Sequence, residues 1–356
     1  MSFENNVDRR QFLGVAAFAA ASLPWKLFTQ GRSAFLFESK MPSLHGASNW
    51  LNSPVLDNST LRGKVVLVNF WTYSCINWRR SLPYLRAWSK KYRGNEFALV
   101  GVHSPEFQFE RNVDNVRQAA AEMTIDYPIA IDNEYAIWRA FSNDVWPALY
   151  FVGKDGHIRD HMFGEGEYDR SEHVIQALLR EAGVSSFKTD LAPVEATGAE
   201  AAADWPDLRS NENYLGSDRA KGFASPGGLH ANRAHIYVLP QRLNLNNWAL
   251  DGDWLASGEA ITGTGPAGRI AYRFHARDVH LVMGPASERS AVRFRVLLDG
   301  QIPASAHGVD VNSNGYGEAV RPRLYQLIRQ GEPIANRSFE IQFLDPGIEA
   351  YSFTFG

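Results

Sequence analysis

The chain has 356 residues, 36 Lys and Arg against 39 Asp and Glu, a net charge of −3 and a single cysteine. At about 150 residues per domain the length predicts two domains, and the 45% apolar and 21% charged fractions exclude wholesale disorder. The slightly acidic balance without a Lys/Arg run leaves no electrostatic footprint for nucleic acid. One cysteine excludes an intramolecular disulfide, a zinc ribbon and any two-thiol redox cycle within one chain.

The N-terminus reads Asp8-Arg9-Arg10-Gln11-Phe12-Leu13-Gly14 and runs into the mildly apolar Val15 to Ala21. Paired arginines, Phe-Leu and a weak apolar run are the layout of a twin-arginine export signal, with Asp8 where Ser or Thr is usual. Residues 1–34 are read as that leader, and a periplasmic or extracytoplasmic location is the expectation. An amphipathic leader kept on a cytosolic protein is the plain alternative. The apolar run falls short of the roughly 20 residues of a spanning helix and no other stretch qualifies, so no stable membrane span is expected in the mature protein.

Residues 35–183 read as one α/β domain. Lys64 to Trp71 is a continuous β-branched run, as a strand buried on both faces should be. Leu82, Leu85, Trp88 and Tyr92 predict a helix over 78–92. A strand over 97–102 and a helix over 113–123 follow. Residues 148–152 and 158–163 flank Lys154-Asp155-Gly156 as a hairpin. A helix over 171–182 closes the unit, with Ser171 as N-cap and Gly183 just past its end.

Residues 184–204, rich in Ala, Glu, Ser and Thr without apolar periodicity, read as a flexible linker. Residues 205–356 then carry about eight short alternating strands. These are 235–239, 254–261, 269–275, 279–283, 292–298, 323–328, 338–343 and 351–355, and they predict an all-β sandwich of jelly-roll type.

Cys75 follows a buried strand and a short turn, where the next helix begins. A thiol at a helix N-terminus faces unpaired N–H groups and the positive end of the dipole, which lowers its pKa. Arg79 and Arg80, one turn on, add to that expectation. The plain alternative is an inert packing cysteine.

Phe70-Trp71, then Cys75 with Pro83 eight residues on, and Trp146-Pro147 before a strand resemble thioredoxin. Trp71-Thr72-Tyr73-Ser74-Cys75-Ile76-Asn77, Ser81 to Arg86, Gly101 to Phe107 and Trp146-Pro147-Ala148 narrow this to thioredoxin-like proteins related to the extracytoplasmic part of DipZ. Tyr214-Leu215-Gly216, Arg273 to Leu281, Leu324 to Leu327 and Ala350 to Gly356 extend the resemblance through the second half. It implies a thioredoxin-like domain joined to a β-sandwich like a carbohydrate-binding module, and a cis-proline at Pro147 beside the thiol. A thiol or disulfide protein, or a small thiol, is the implied partner.

The departures from that pattern decide the chemistry. Trp78 stands where the second cysteine of Cys-x-x-Cys would be, so no resolving thiol follows Cys75. Asn69 stands where thioredoxins keep a buried carboxylate, and Asn cannot titrate. Ordinary dithiol reductase activity is therefore not expected. The remaining reading is one-thiol redox chemistry that depends on an external thiol. A non-catalytic peptide, client or carbohydrate binder is one alternative. A one-cysteine peroxidase is another, because Thr72-x-x-Cys75 has peroxiredoxin spacing, although Val68 stands where that pattern has proline.

The candidate catalytic residues are Cys75, Thr72 and Pro147, and the candidate substrate contacts are Trp78, Trp146 and Tyr73. Trp78 is expected to be partly exposed as a docking ring. Asp310 to Gly315 begins like a calcium loop, but Arg321 occupies the twelfth position and the EF-hand reading fails. His275 and His280 are wrongly spaced for a shared zinc, so neither a metal site nor any cofactor is read. Trp248, Trp254, Tyr316, Tyr351 and Phe353 are core residues or, alternatively, a sugar-stacking platform.

Overall fold

The computed structural model describes residues 39–94, 96–287 and 291–356, so the leader read over 1–34 lies outside the described residues. In the first half, strands β1 (Asn49–Leu51), β2 (Val65–Trp71), β3 (Phe97–His103), β4 (Ile129–Ile131), β5 (Ala148–Val152) and β6 (Ile158–Phe163) form one sheet in the order β1-β4-β3-β2-β5-β6. β2, β3 and β4 pair in parallel and the other neighbours antiparallel. All seven residues of β2 are buried, because alternate side chains enter two cores. Leu67 and Trp71 pack under helices α1 (Ile76–Lys91), α2 (Val113–Glu122) and α4 (Tyr168–Glu181). Val66, Val68 and Phe70 pack on the other face, under α3 (Ala136–Ala140). This is the thioredoxin-like α/β arrangement, with a parallel start and an antiparallel finish.

Three expectations change. The last helix begins at Tyr168 with Glu167 as its N-cap, and Ser171 lies buried within it, its Oγ donating to Met162 Sδ at 3.4 Å. Strands β1 and β4 and helix α3 have three, three and five residues, too short to leave a periodic pattern. The stretch expected to be a loose linker is strapped down. Gln176 Nε2 donates to Thr189 O at 3.0 Å, Ala192 N donates to Glu172, and Arg86 pairs with Glu200. Phe187 and Ala192 pack on the first core.

The second half contains β7 (Asn213–Tyr214), β8 (Ala234–Tyr237), β9 (Trp248–Ala256), β10 (Ile261–Gly263), β11 (Gly268–Phe274) and β12 (Asp278–Pro285). It continues with β13 (Val292–Leu298), β14 (Tyr316–Ala319), β15 (Arg323–Arg329), β16 (Arg337–Phe343) and β17 (Ile348–Phe355). Every named strand pair here is antiparallel. The two layers share β9, which pairs with β11 over 248–251 and with β8 and β10 beyond. Gly252, at φ +89°, makes that change of partner, since a side chain there would be strained and would strike Ala267 O. The stretch expected as one strand over 254–261 is two, joined by a turn in which Ser257 N donates to Ala260 O. The result is a β-sandwich around one large apolar core.

The domains meet over the N-terminal end of α1. Ile76 and Phe107 pack with Ala260, Val282, Leu324 and Tyr351 in a buried cluster contributed by both domains. Polar ties surround it. Arg80 Nη2 donates to Phe355 O at 3.0 Å, Gln108 N to Glu259 Oε2 at 3.1 Å, and Tyr214 Oη to Glu106 Oε1 at 2.5 Å.

Candidate functional site

Cys75 is the N-cap of α1, in extended conformation with φ −72° and ψ 117°. β2 ends at Trp71, and the residues between are held from below by one carboxylate. Glu110 is wholly buried, and its Oε1 accepts from Ser74 Oγ at 2.6 Å and Ser74 N at 3.2 Å. Its Oε2 accepts from the Glu106 and Phe107 amides at 2.7 and 3.0 Å. Burial pushes the Glu110 carboxyl up, while hydrogen bonds from Ser74, Thr72 and Phe107 oppose that shift. Sequence reasoning missed this residue. Its signal was a glutamate three residues after Phe107, a helix-capping spacing.

Two replacements, at positions 78 and 69, meet in the structure. Trp78 is fully buried, stacked on Trp71 with ring centroids 4.3 Å apart, and its Nε1 donates to Asn69 Oδ1 at 3.0 Å. Asn69 Nδ2 in turn lies 3.3 Å from Phe70 O and 3.4 Å from Ala148 O. The indole therefore occupies the resolving position as core, and the residue that replaces the carboxylate accepts its N–H. Gly101 on β3 makes room, because a Cβ there would stand 2.8 Å from Trp71 Nε1. The expected exposed docking ring at Trp78 is thus corrected: one face is covered by Trp71, and the polar edge is spent on Asn69.

The other candidates are distributed as follows. The Trp146-Pro147 peptide is cis, matching the resemblance. Trp146 is half-buried against Trp138, at 4.4 Å between ring centroids. Tyr73 is buried, stacked on His103 at 5.8 Å, and its hydroxyl donates to Pro322 O of the second domain at 3.5 Å. It is therefore a seam residue. Thr72 is fully buried, its Oγ1 lying 3.5 Å from His103 Nε2, and it also hydrogen-bonds Glu110. A hydroxyl so committed is poorly placed to receive a peroxide. His103 is kept neutral by burial, its pKa pushed down to about 3.

The thiol itself departs from expectation. Burial pushes the Cys75 thiol well above its ordinary value, and the carboxylates of Glu212 and Glu106 push the same way. The backbone N–H groups of Trp78 and Asn77 do favour the thiolate, as helix-terminus reasoning predicts, but they are outweighed. Glu212 comes from the second domain and had no signal in the sequence. Arg79 and Arg80 give no compensation. Arg80 is committed to Glu165 at 2.8 Å, with both side chains nearly inaccessible, and to Phe355 O.

The aromatic platform read as an alternative in the second domain is not assembled. Trp248, Trp254, Tyr351 and Phe353 are buried, and Tyr316 alone is exposed, with Arg295 over its ring at 5.2 Å. The calcium-like loop is a turn in which Asn312 Oδ1 accepts from the Asn314 and Tyr316 amides, both at 3.0 Å, while Asp310 pairs with Arg323. Among the described residues no cluster of three or more His, Cys, Asp or Glu could hold a metal ion. Among those residues, too, no helix is long and apolar enough to cross a membrane.

Comparison with known proteins matches a segment of each half to a different family. Residues 40–161 match the AhpC/TSA family, and residues 210–356 match the thioredoxin-like C-terminal domain family. Protein DipZ of Mycobacterium tuberculosis (strain CDC 1551 / Oshkosh) is 33% identical over 329 residues, covering 88% of this chain and 42% of DipZ. The chain thus spans about two fifths of the length of that relative. The thiol-disulfide oxidoreductase YkuV of Bacillus subtilis (strain 168) is 30% identical over 141 residues, 40% of this chain and 95% of YkuV. A solved thioredoxin-like protein in its oxidized form is 30% identical, covering 40% of this chain and 97% of that one, with a TM-score of 0.38.

Proposed function

Given that the chain belongs to the thiol-disulfide oxidoreductase family in its DipZ-like form, a redoxin domain followed by a thioredoxin-like C-terminal domain with one cysteine, we propose that it exchanges thiols and disulfides through Cys75 alone. The observation that carries this reading is the pairing of Trp78 with Asn69. It closes the resolving position while leaving Cys75 at the end of α1 with two backbone N–H groups favouring its thiolate.

The exchange has two steps. The Cys75 thiolate attacks one sulfur of a substrate disulfide. The substrate S–S bond breaks, a mixed disulfide forms at Cys75, and the other substrate sulfur leaves as a thiolate that takes up a proton. An external thiolate then attacks the substrate sulfur of the mixed disulfide and releases the Cys75 thiolate. One disulfide is consumed and one is made, so the cycle needs no net oxidant. Pro147 would lie along the bound substrate, with Trp146 as an apolar contact, while Thr72 and Tyr73 act by holding the loop. Export through the leader read over residues 1–34 would place this chemistry outside the cytoplasm, where disulfides persist.

The test is to incubate the full chain with a small disulfide at rising pH and weigh it. One adduct, absent in Cys75→Ser and released by added thiol, is expected, at a rate that rises with pH because the thiol is held protonated. A native chain that never takes the adduct, while the unfolded chain does, would overturn the reading. The raised thiol is the observation that favours a second reading, a non-catalytic binding protein whose cysteine stays protonated and unreactive.

A further inference from the structure

The seam between the domains contains a cavity of about 20 Å³ that the thiol chemistry does not use, lined among others by Tyr73, Arg79, Asn115, Glu122, Arg321 and Arg323. Three guanidinium groups meet there. Two are answered by carboxylates: Arg321 pairs with Glu122, and Arg323 Nη2 donates to Asp310 Oδ1 at 2.6 Å. Arg79 has no such partner. Among the described residues no carboxylate or carbonyl accepts from it, and its Nε is shut off from solvent without a hydrogen bond. Arg323 Nε is shut off and unpartnered in the same way. The neutral walls supply no recorded bond to either Nε, and their own donors are spent elsewhere. The Tyr73 hydroxyl donates to Pro322 O, and Asn115 Nδ2 donates to Phe109 O at 3.0 Å.

Guanidinium cannot shed its proton under ordinary conditions, and Arg79 is half-buried with its Nε shut off, so a negative charge reaching it would relieve a partly desolvated cation. Burial indeed pushes the Arg79 guanidinium down, with Glu200 and Asp310 only partly offsetting it. Two orphaned donors on facing domains, around one void with a surplus positive charge, are the makings of an anion pocket. We propose that this cavity binds one small monovalent anion, held between Arg79 of α1 and Arg323 of β15.

At about 20 Å³ the void suits a halide or the oxygen end of a formate-sized carboxylate better than the larger, divalent sulfate. Because its donors come from both domains, the pocket exists only while they are docked, and occupancy stabilises that docked state by linkage. The proposal is independent of whether Cys75 reacts.

The test is thermal unfolding of the full chain at constant ionic strength, with gluconate replaced stepwise by chloride, formate or sulfate. A saturable rise of about 3 °C is expected with chloride or formate and a clearly smaller one with sulfate. The rise should vanish in Arg79→Gln and survive in part in Arg79→Lys. A rise with formate alone assigns a carboxylate, and one with chloride alone a halide; either sustains the site. If Arg79→Gln does not fold, the wild-type titration decides by its size selectivity. No saturable rise, equal rises with all three anions, or an undiminished rise in Arg79→Gln would overturn the proposal.

Discussion

The two domains bring different things to the seam above Cys75. The first domain brings a loop whose polar groups are answered mostly internally, although Tyr73 Oη reaches Pro322 O and Trp71 Nε1 and His103 Nδ1 lie buried without partners. Glu110 receives Ser74 Oγ and three backbone amides, Trp78 is bonded to Asn69, and His103 lies against Thr72. The second domain brings buried polar atoms without partners. His280 lacks one at both ring nitrogens, as do Thr354 Oγ1 and Gln326 Oε1, and the three residues sit side by side on β12, β17 and β15. The thiol's geometry is therefore set mainly by its own domain. The neighbour supplies charge and two ties to the scaffold, at Tyr73 and Arg80.

Acid tests this division most strongly. His103 and His280, one from each domain, are both pushed down to about 3 by burial, although Asp278 partly opposes the shift at His280. Each is held neutral when folded, so its contribution is full above the unfolded value near 6.5 and is lost as pH falls toward 3. Unfolding free energy should fall by about 1.4 kcal/mol per pH unit for each histidine across that window. Denaturant titrations at stepped pH on His103→Gln and His280→Gln should each remove one share of the slope. If His280→Gln leaves the slope intact, that ring is already solvated and the contrast between the domains fails.

Trp78→Ala comes next. It removes a fully buried ring and leaves Asn69 Oδ1 without its donor, at a cost of about 4 kcal/mol, measured as a drop in the denaturant midpoint. A loss below 1 kcal/mol would mean that Trp78 is not core. Glu110→Gln should cost less, about 2 kcal/mol, because the amide keeps one acceptor oxygen and forfeits the other. It should also loosen the loop before Cys75, seen as faster amide exchange at Ser74 and Phe107. Unchanged exchange at both would show that Glu110 does not hold the loop.

How far the sequence anticipated all this follows the same line. Continuous runs such as Val65–Trp71 and spaced ones such as Leu82, Leu85 and Trp88 announce their elements, because burial in one domain is written locally. Trp78 and Asn69 were each noticed as departures, but their hydrogen bond spans nine residues of chain and needs the fold to bring it together. Ser171 was misplaced as a cap because the turn that delivers α4 ends earlier, at Glu167. The thiol was judged from its own helix alone. Glu212, 137 positions away, is among the charges that reverse that judgement, and no local pattern could carry it.

Glu212 therefore gives the smallest but most specific test of the comparison. Burial is the largest cause of the raised thiol and remains in Glu212→Gln, whereas the first of the carboxylate contributions is lost. The Cys75 midpoint, followed as the pH dependence of iodoacetamide alkylation, should fall while staying above that of a free cysteine. Glu106→Gln should shift it less, because Glu106 ranks below Glu212 as a cause and is itself paired with Arg219 at 3.1 Å. A larger fall for Glu106 than for Glu212 would place the dominant charge in the thiol's own domain. The neighbour would then supply chiefly its two ties.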